Sequence, residues 1–266
     1  MRINKYRGET ITLATAVTAA QVRGIPLWAN AVQIEAPSAT LENITLTFGP
    51  PIRRVYFYDA SLTEPNRYID LTSSLIDRNT STGTAGALNS MQTADFIYIG
   101  CTRQFRGLAV DVTNTNSTTS TIALDYSGRA GVWTSLSSPT DGTASGGASF
   151  AQDGAITWTV PGNWVSSSLT LPNEQKSESL YWVRISQSAA LDATVSIVEL
   201  AALGNQVVNA VDGSEDGYAG ILIQSNNRTL APYEFYWTIG EYGSIDLVST
   251  AITSAANVNW YAIGDS

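Results

Sequence analysis

The chain has 266 residues, is 44% hydrophobic but only 14% charged, and carries a formal net charge of −9 with no histidine and a single cysteine. Those values exclude imidazole-based catalytic triads, His-containing or multi-thiolate zinc sites, an internal disulfide and electrostatic attraction to nucleic-acid phosphate. With so little charge, the surface must be covered by Ser, Thr, Asn, Gln and Gly, a composition that suits pleated sheets and disfavours helices.

At the N-terminus, Met1 to Glu9 lacks the continuous apolar segment of a signal peptide, and no run in the chain reaches the length of a membrane span. The expectation is a protein made and kept soluble in a cytosol, or packaged from there, without membrane or nucleic-acid partners. Residues 1–30 read as an N-terminal arm, because Arg2, Lys5, Arg7 and Arg23 face one acid, Glu9, in an otherwise acidic protein. With Trp28, these residues are the candidate partner-binding set. Residues 13–22 carry enough Ala for two or three helical turns, but two Thr and two Val make an extended arm an equal reading.

Beyond Pro26, the corner Gly49-Pro50-Pro51 excludes long helices before Ile52. Short alternating runs then recur at 52–58, 96–99, 107–112, 122–126, 156–160, 180–185, 194–200, 220–223, 233–239 and 258–263. Turn residues break them, as in antiparallel sandwiches and barrels. The polar tract 113–121 reads as a hairpin loop, and 85–92 as a short helical turn. Polar, small-residue stretches at 79–86 and 201–205 mark boundaries. The predicted fold is all-β, with a β-rich flank at 31–94, a central antiparallel β-sandwich or jelly-roll-like domain at 95–200, and a β-rich C-terminal segment at 201–266. Each flank has too few strands to bury two faces, so the flanks are expected to pair with each other around an inserted sandwich.

Few residues offer chemistry. Cys101 follows an apolar strand and lacks an imidazole partner, so it reads as a packed thiol. Carboxylate pairs able to hydrolyse glycosides would be Asp141 with Asp153, or Glu215 with Asp216 and Glu241; their positions also suit solvated loop acids. Asp212, Ser214 and Asp216 open like a calcium loop, but Ile223 stands where a closing Glu belongs, and a polar turn is the stronger reading. The sequons at Asn43, Asn79, Asn116 and Asn227 are chance products of a chain rich in Asn, Ser and Thr. No cofactor is expected.

The aromatic set Trp133, Trp158, Trp164, Tyr181 and Trp182 could form a sugar-stacking platform or fill the sandwich core. Trp133, Trp164 and Trp182 are the candidate glycan-binding residues. Tyr181, Val183 and Ile185 share one strand face, so one of Tyr181 and Trp182 is expected inside and the other outside.

Residues 126–185 carry a pattern that includes Tyr126-Ser127-Gly128, Gly131-Val132-Trp133, Asp141-Gly142-Thr143, Trp158-Thr159-Val160-Pro161-Gly162-Asn163-Trp164 and Tyr181-Trp182-Val183-Arg184-Ile185. This stretch resembles a β-sandwich module of tailed-phage virion proteins, among them head decoration (cement) proteins and tail or fibre components. The resemblance spans less than a quarter of the chain. It implies a non-enzymatic virion subunit, foremost a homotrimeric decoration protein that contacts the major capsid protein and other virion subunits. The alternative is a carbohydrate-binding tail or fibre component, or a glycan-binding module.

Overall fold

The structure is a computed structural model that describes residues 3–7, 11–12, 22–24, 31–35, 44–77, 84–88, 90–172, 175–204, 206–209, 233–234, 243–249 and 257–265. It is an all-β protein; its one described α-helix is the single turn Thr72–Leu75. The chain divides into two compact units, residues 1–49 with 203–266 and residues 50–202. The crossing points coincide with the Gly49-Pro50-Pro51 corner, where proline ends a sheet ladder by removing its donor, and with the end of the Ser196–Leu203 strand.

In the first unit, strands from the two chain ends pair antiparallel. One sheet runs in the order Ile3–Arg7, Asn257–Asp265, Ala31–Glu35, Tyr233–Glu234, and Ile11–Thr12 also pairs with Asn257–Asp265. The other runs Gln206–Asn209, Ile44–Gly49, Ser244–Ser249, Val22–Gly24. Residues 3–7 are therefore an edge strand and not part of a free arm. Of the helix candidate at 13–22, only Val22 is described, and it opens a strand.

The second unit is a sandwich of two antiparallel sheets among the described residues. The front sheet runs Trp133–Ser135, Ile122–Ser127, Tyr181–Gln187, Phe96–Cys101, Ile52–Tyr58, Tyr68–Asp70. The back sheet runs Thr140–Asp141, Gly154–Thr157, Gly107–Asn114, Ser196–Leu203, Gly86–Ala87. Ile52–Tyr58, placed by sequence in the 31–94 flank, is a front-sheet strand because its register locks onto Phe96–Cys101. Gly86–Ala87 lies inside the predicted helical turn at 85–92 and is a strand, held to Ser196 and Ile197.

Alternation explains the core. Val55, Phe57, Ile97, Ile99, Leu124, Val183 and Ile185 point from the front sheet onto Leu108, Val110, Ile156 and Ile197 of the back sheet, and all are buried. Each such side chain contributes about 1.5–3 kcal/mol of transfer free energy. The tract 113–121 is not a hairpin loop: it carries the chain from the back-sheet strand Gly107–Asn114 to the front-sheet strand Ile122–Ser127. Asn116 holds this arch, its buried amide donating to the Thr118 and Ser149 carbonyls and to Ser120 Oγ at 2.8–3.0 Å.

Candidate functional site

The outer face of the front sheet is where the unit places its unusual side chains. Side chains directly opposite on paired strands share a face, so the register aligns them in rows. One row runs Asp70, Tyr56, Tyr98, Arg184, Asp125, Ser135 across the sheet. Beside it, Tyr68, Tyr58 and Phe96 form a second row. A third contains Arg54, Gly100 and Trp182, and Ser127 opposite Trp133.

Arg184 organises one end of this face. Its guanidinium carbon lies 4.4 Å from the centroid of the Phe96 ring and 4.7 Å from that of Trp133, a cation held between two aromatic faces. Nε and Nη2 both reach Asp125 Oδ2, at 2.9 and 2.8 Å, while Asp125 Oδ1 accepts a hydrogen bond from Ser135 Oγ at 2.7 Å. The ion pair is about one-fifth exposed, so its charge is neutralised locally while its polar edge meets solvent. Burial raises the phenol pKa values of Tyr56, Tyr68 and Tyr98 above the ordinary tyrosine value.

The other end of the face is covered. Residues 167–172 and 175–180 fold back on it through bridges between Ser167 and Leu180 and between Thr170 and Lys176. Leu169 and Leu180 pack on Tyr56, Tyr98 and Trp182, and Trp182 Nε1 donates to the Ser167 carbonyl at 2.8 Å. Gly100 makes room beneath: a Cβ there would lie 2.7 Å from the Trp182 ring and 2.8 Å from Leu180 Cδ1. Arg54 and Glu178 join cover to sheet by an ion pair at 2.6 Å. Tyr58, Tyr68, Phe96 and Trp133 remain partly exposed around the uncovered end, and Val132, next to Trp133, is 61% exposed.

No family model matches the chain, and no curated protein matches it. Residue chemistry alone therefore assigns the face.

Of the three tryptophans read as glycan-binding, the structure brings only Trp133 to this surface. Trp182 faces outward from its sheet, as alternation with Tyr181 demands, yet it is fully buried because Ser167, Leu169 and Leu180 cover it. Trp164 lies inside the sandwich, packed against Phe105, Tyr126 and Tyr181. Trp158 is also buried, its Nε1 donating to the Phe105 carbonyl. Neither Tyr181 nor Trp182 is thus the exposed aromatic that sequence alternation calls for.

Cys101 is a free, fully buried thiol whose pKa burial pushes well up. Asp141 and Asp153 each anchor backbone: Asp141 Oδ1 accepts from the Thr143 N–H and hydroxyl, and Asp153 Oδ1 from the Val112 N–H. Asp212, Ser214, Glu215, Asp216, Glu241, Arg2 and Trp28 lie outside the described residues. Lys5 and Arg7 sit on the edge strand Ile3–Arg7, and Arg23 on Val22–Gly24. Among the described residues no group of three or more His, Cys, Asp and Glu is placed to hold a metal ion, and no helix is long and apolar enough to cross a membrane.

Sequence reasoning passed over Asp125, Arg184, Tyr58, Tyr68 and Phe96. The signal was present: in Tyr181-Trp182-Val183-Arg184-Ile185 and in Leu124-Asp125-Tyr126, the charged residue occupies the outward position between inward apolar ones.

Proposed function

We propose that the chain is a non-enzymatic structural protein of a phage particle, foremost a capsid decoration (cement) protein that assembles as a homotrimer and stabilises the head through subunit contacts. The observation that carries the reading is the division of the chain. One unit is built from both chain ends, and a continuous 50–202 sandwich is inserted into it. Such a design gives the chain two separately built units, each able to offer contact area. The phage-like stretch 126–185 lies wholly within the sandwich, and three basic residues of the candidate docking set, Lys5, Arg7 and Arg23, lie on strands of the other unit. A shell under internal pressure is strengthened by subunits that bridge neighbours, and bridging needs contact area more than a pocket.

The experiment is a heat challenge of particles assembled with and without this chain. Particles lacking it should release DNA at a lower temperature, and adding back the purified protein, measured as a trimer by sedimentation, should restore resistance. Equal heat resistance with and without the chain would defeat the decoration reading.

A further inference from the structure

We propose that the uncovered end of the front sheet, formed by Trp133 and Phe96 beside the Arg184–Asp125 pair with Tyr58 and Tyr68 continuing from Phe96 toward the opposite edge, binds a neutral oligosaccharide. The inference goes beyond the virion reading and does not depend on it.

Size separates a glycan from a protein partner. An aromatic side chain offers about 150–250 Å², and most of each of these four is already covered, which leaves on the order of 300 Å² of ring surface. A specific protein interface needs about 800 Å² per partner. A short oligosaccharide needs far less.

Charge separates a neutral sugar from an acidic one. Arg184 is the cation beside Trp133 and Phe96, and two of its nitrogens are already committed to Asp125 Oδ2, while the Phe96 and Trp133 ring centroids lie 4.4 and 4.7 Å from its guanidinium carbon; Arg54, on the same face, is paired with Glu178, and Arg67 donates to the Leu62 carbonyl and to Tyr58 Oη. An anionic ligand would have to compete with those partners. A neutral one need not.

The remaining features match a pyranose, which has an apolar C–H face and a rim of hydroxyls. Trp133 stands on a strand at the edge of the sheet, beside exposed Val132, and offers an aromatic surface. At its side, Asp125 accepts hydrogen bonds, the oxygen of exposed Ser135, whose proton goes to Asp125, accepts another, and bonds to the carboxylate are strengthened because one partner is charged. The clamp on Arg184 and the buried ladder beneath hold these groups in place before any ligand arrives, which lowers the cost of binding.

The test is saturation-transfer NMR on the full chain with maltohexaose, cellohexaose and chitohexaose as neutral probes and hexagalacturonate as the acidic one. At least one neutral probe should receive magnetisation from aromatic protons, and Trp133→Ala should weaken its binding about tenfold, the loss of one stacking contact. Trp133→Phe, which keeps a ring, should retain part of the affinity and serves if the alanine variant does not fold. Binding of hexagalacturonate alone, no transfer to any neutral probe, or unchanged binding in both variants would overturn the proposal. So would loss of attachment to particles or of self-association on Trp133→Ala, which would make the face a protein contact. Absence of the chain from virions would leave this site standing, whereas failure of the glycan test would leave the virion reading standing.

Discussion

Arg184 stacks its guanidinium 4.7 Å from the centroid of the Trp133 ring, across two strand pairings of the front sheet, while two of its nitrogens hold a single carboxylate oxygen of Asp125. The arrangement links an edge strand to the centre of the sheet through one side chain.

Replacing Arg184 by Leu should therefore lower unfolding free energy by about 1–3 kcal/mol, since it removes a partly exposed ion pair together with two cation–π contacts. Arg184→Lys should recover only part of the loss, because an ammonium cannot lie flat between Phe96 and Trp133. Urea titration of both variants, followed by tryptophan fluorescence, measures this. Equal stability of the Leu variant and the native chain would contradict it.

Gly100 should not tolerate a side chain. With a Cβ that would lie 2.7 Å from Trp182 and 2.8 Å from Leu180 Cδ1, Gly100→Ala forces the ring or the covering segment to shift, at a cost of about 1–3 kcal/mol. The melting temperature should fall and tryptophan emission should move to longer wavelength as Trp182 becomes wetter. An unshifted spectrum at native stability would show that the cover does not rest on this contact.

Gln187 offers the opposite sign. Its side chain is buried at the end of the Tyr181–Gln187 strand, and neither Oε1 nor Nε2 has a hydrogen-bond partner. Such an amide costs about 1–3 kcal/mol, so Gln187→Met should stabilise the protein by up to that amount in the same titration. A destabilised variant would show that the amide is satisfied through water.

Acid should loosen the arch at 113–121. The Thr118 hydroxyl, then the Ser117 hydroxyl and N–H, donate to Asp192 at 2.6–2.7 Å and lower its pKa from the ordinary 3.8 to about 2. Because the folded value is the lower one, the stabilisation is complete above about pH 4 and fades as pH falls toward 2. The gap in stability between the native chain and Asp192→Asn should narrow over that window. A gap independent of pH would contradict the assignment.

The strands and their facing were legible because alternation needs only local sequence. Tyr181, Val183 and Ile185 face the core as their spacing requires. What covers the opposite face was not legible. Trp182 is buried by Leu169 and Leu180, and nothing in a period-two pattern shows that these residues return over it. The same limit hid the site: Asp125 and Arg184 are unremarkable in their own strands and meet only through a register set by long-range pairing. Residue type alone puts Trp133 in the same candidate set as Trp164 and Trp182, and only the fold separates the one on this face from the two that are buried. The tract 113–121 was misread for a related reason, since a polar loop between two strands looks alike whether the strands pair or lie in different sheets.

The most direct test of the account is a quantitative mass-spectrometric inventory of purified phage particles from the source of this chain. The virion reading predicts the chain in every particle preparation, at a fixed ratio to the major capsid protein that survives repeated banding. Its absence from purified particles, while it accumulates in the infected-cell lysate, would contradict that reading outright.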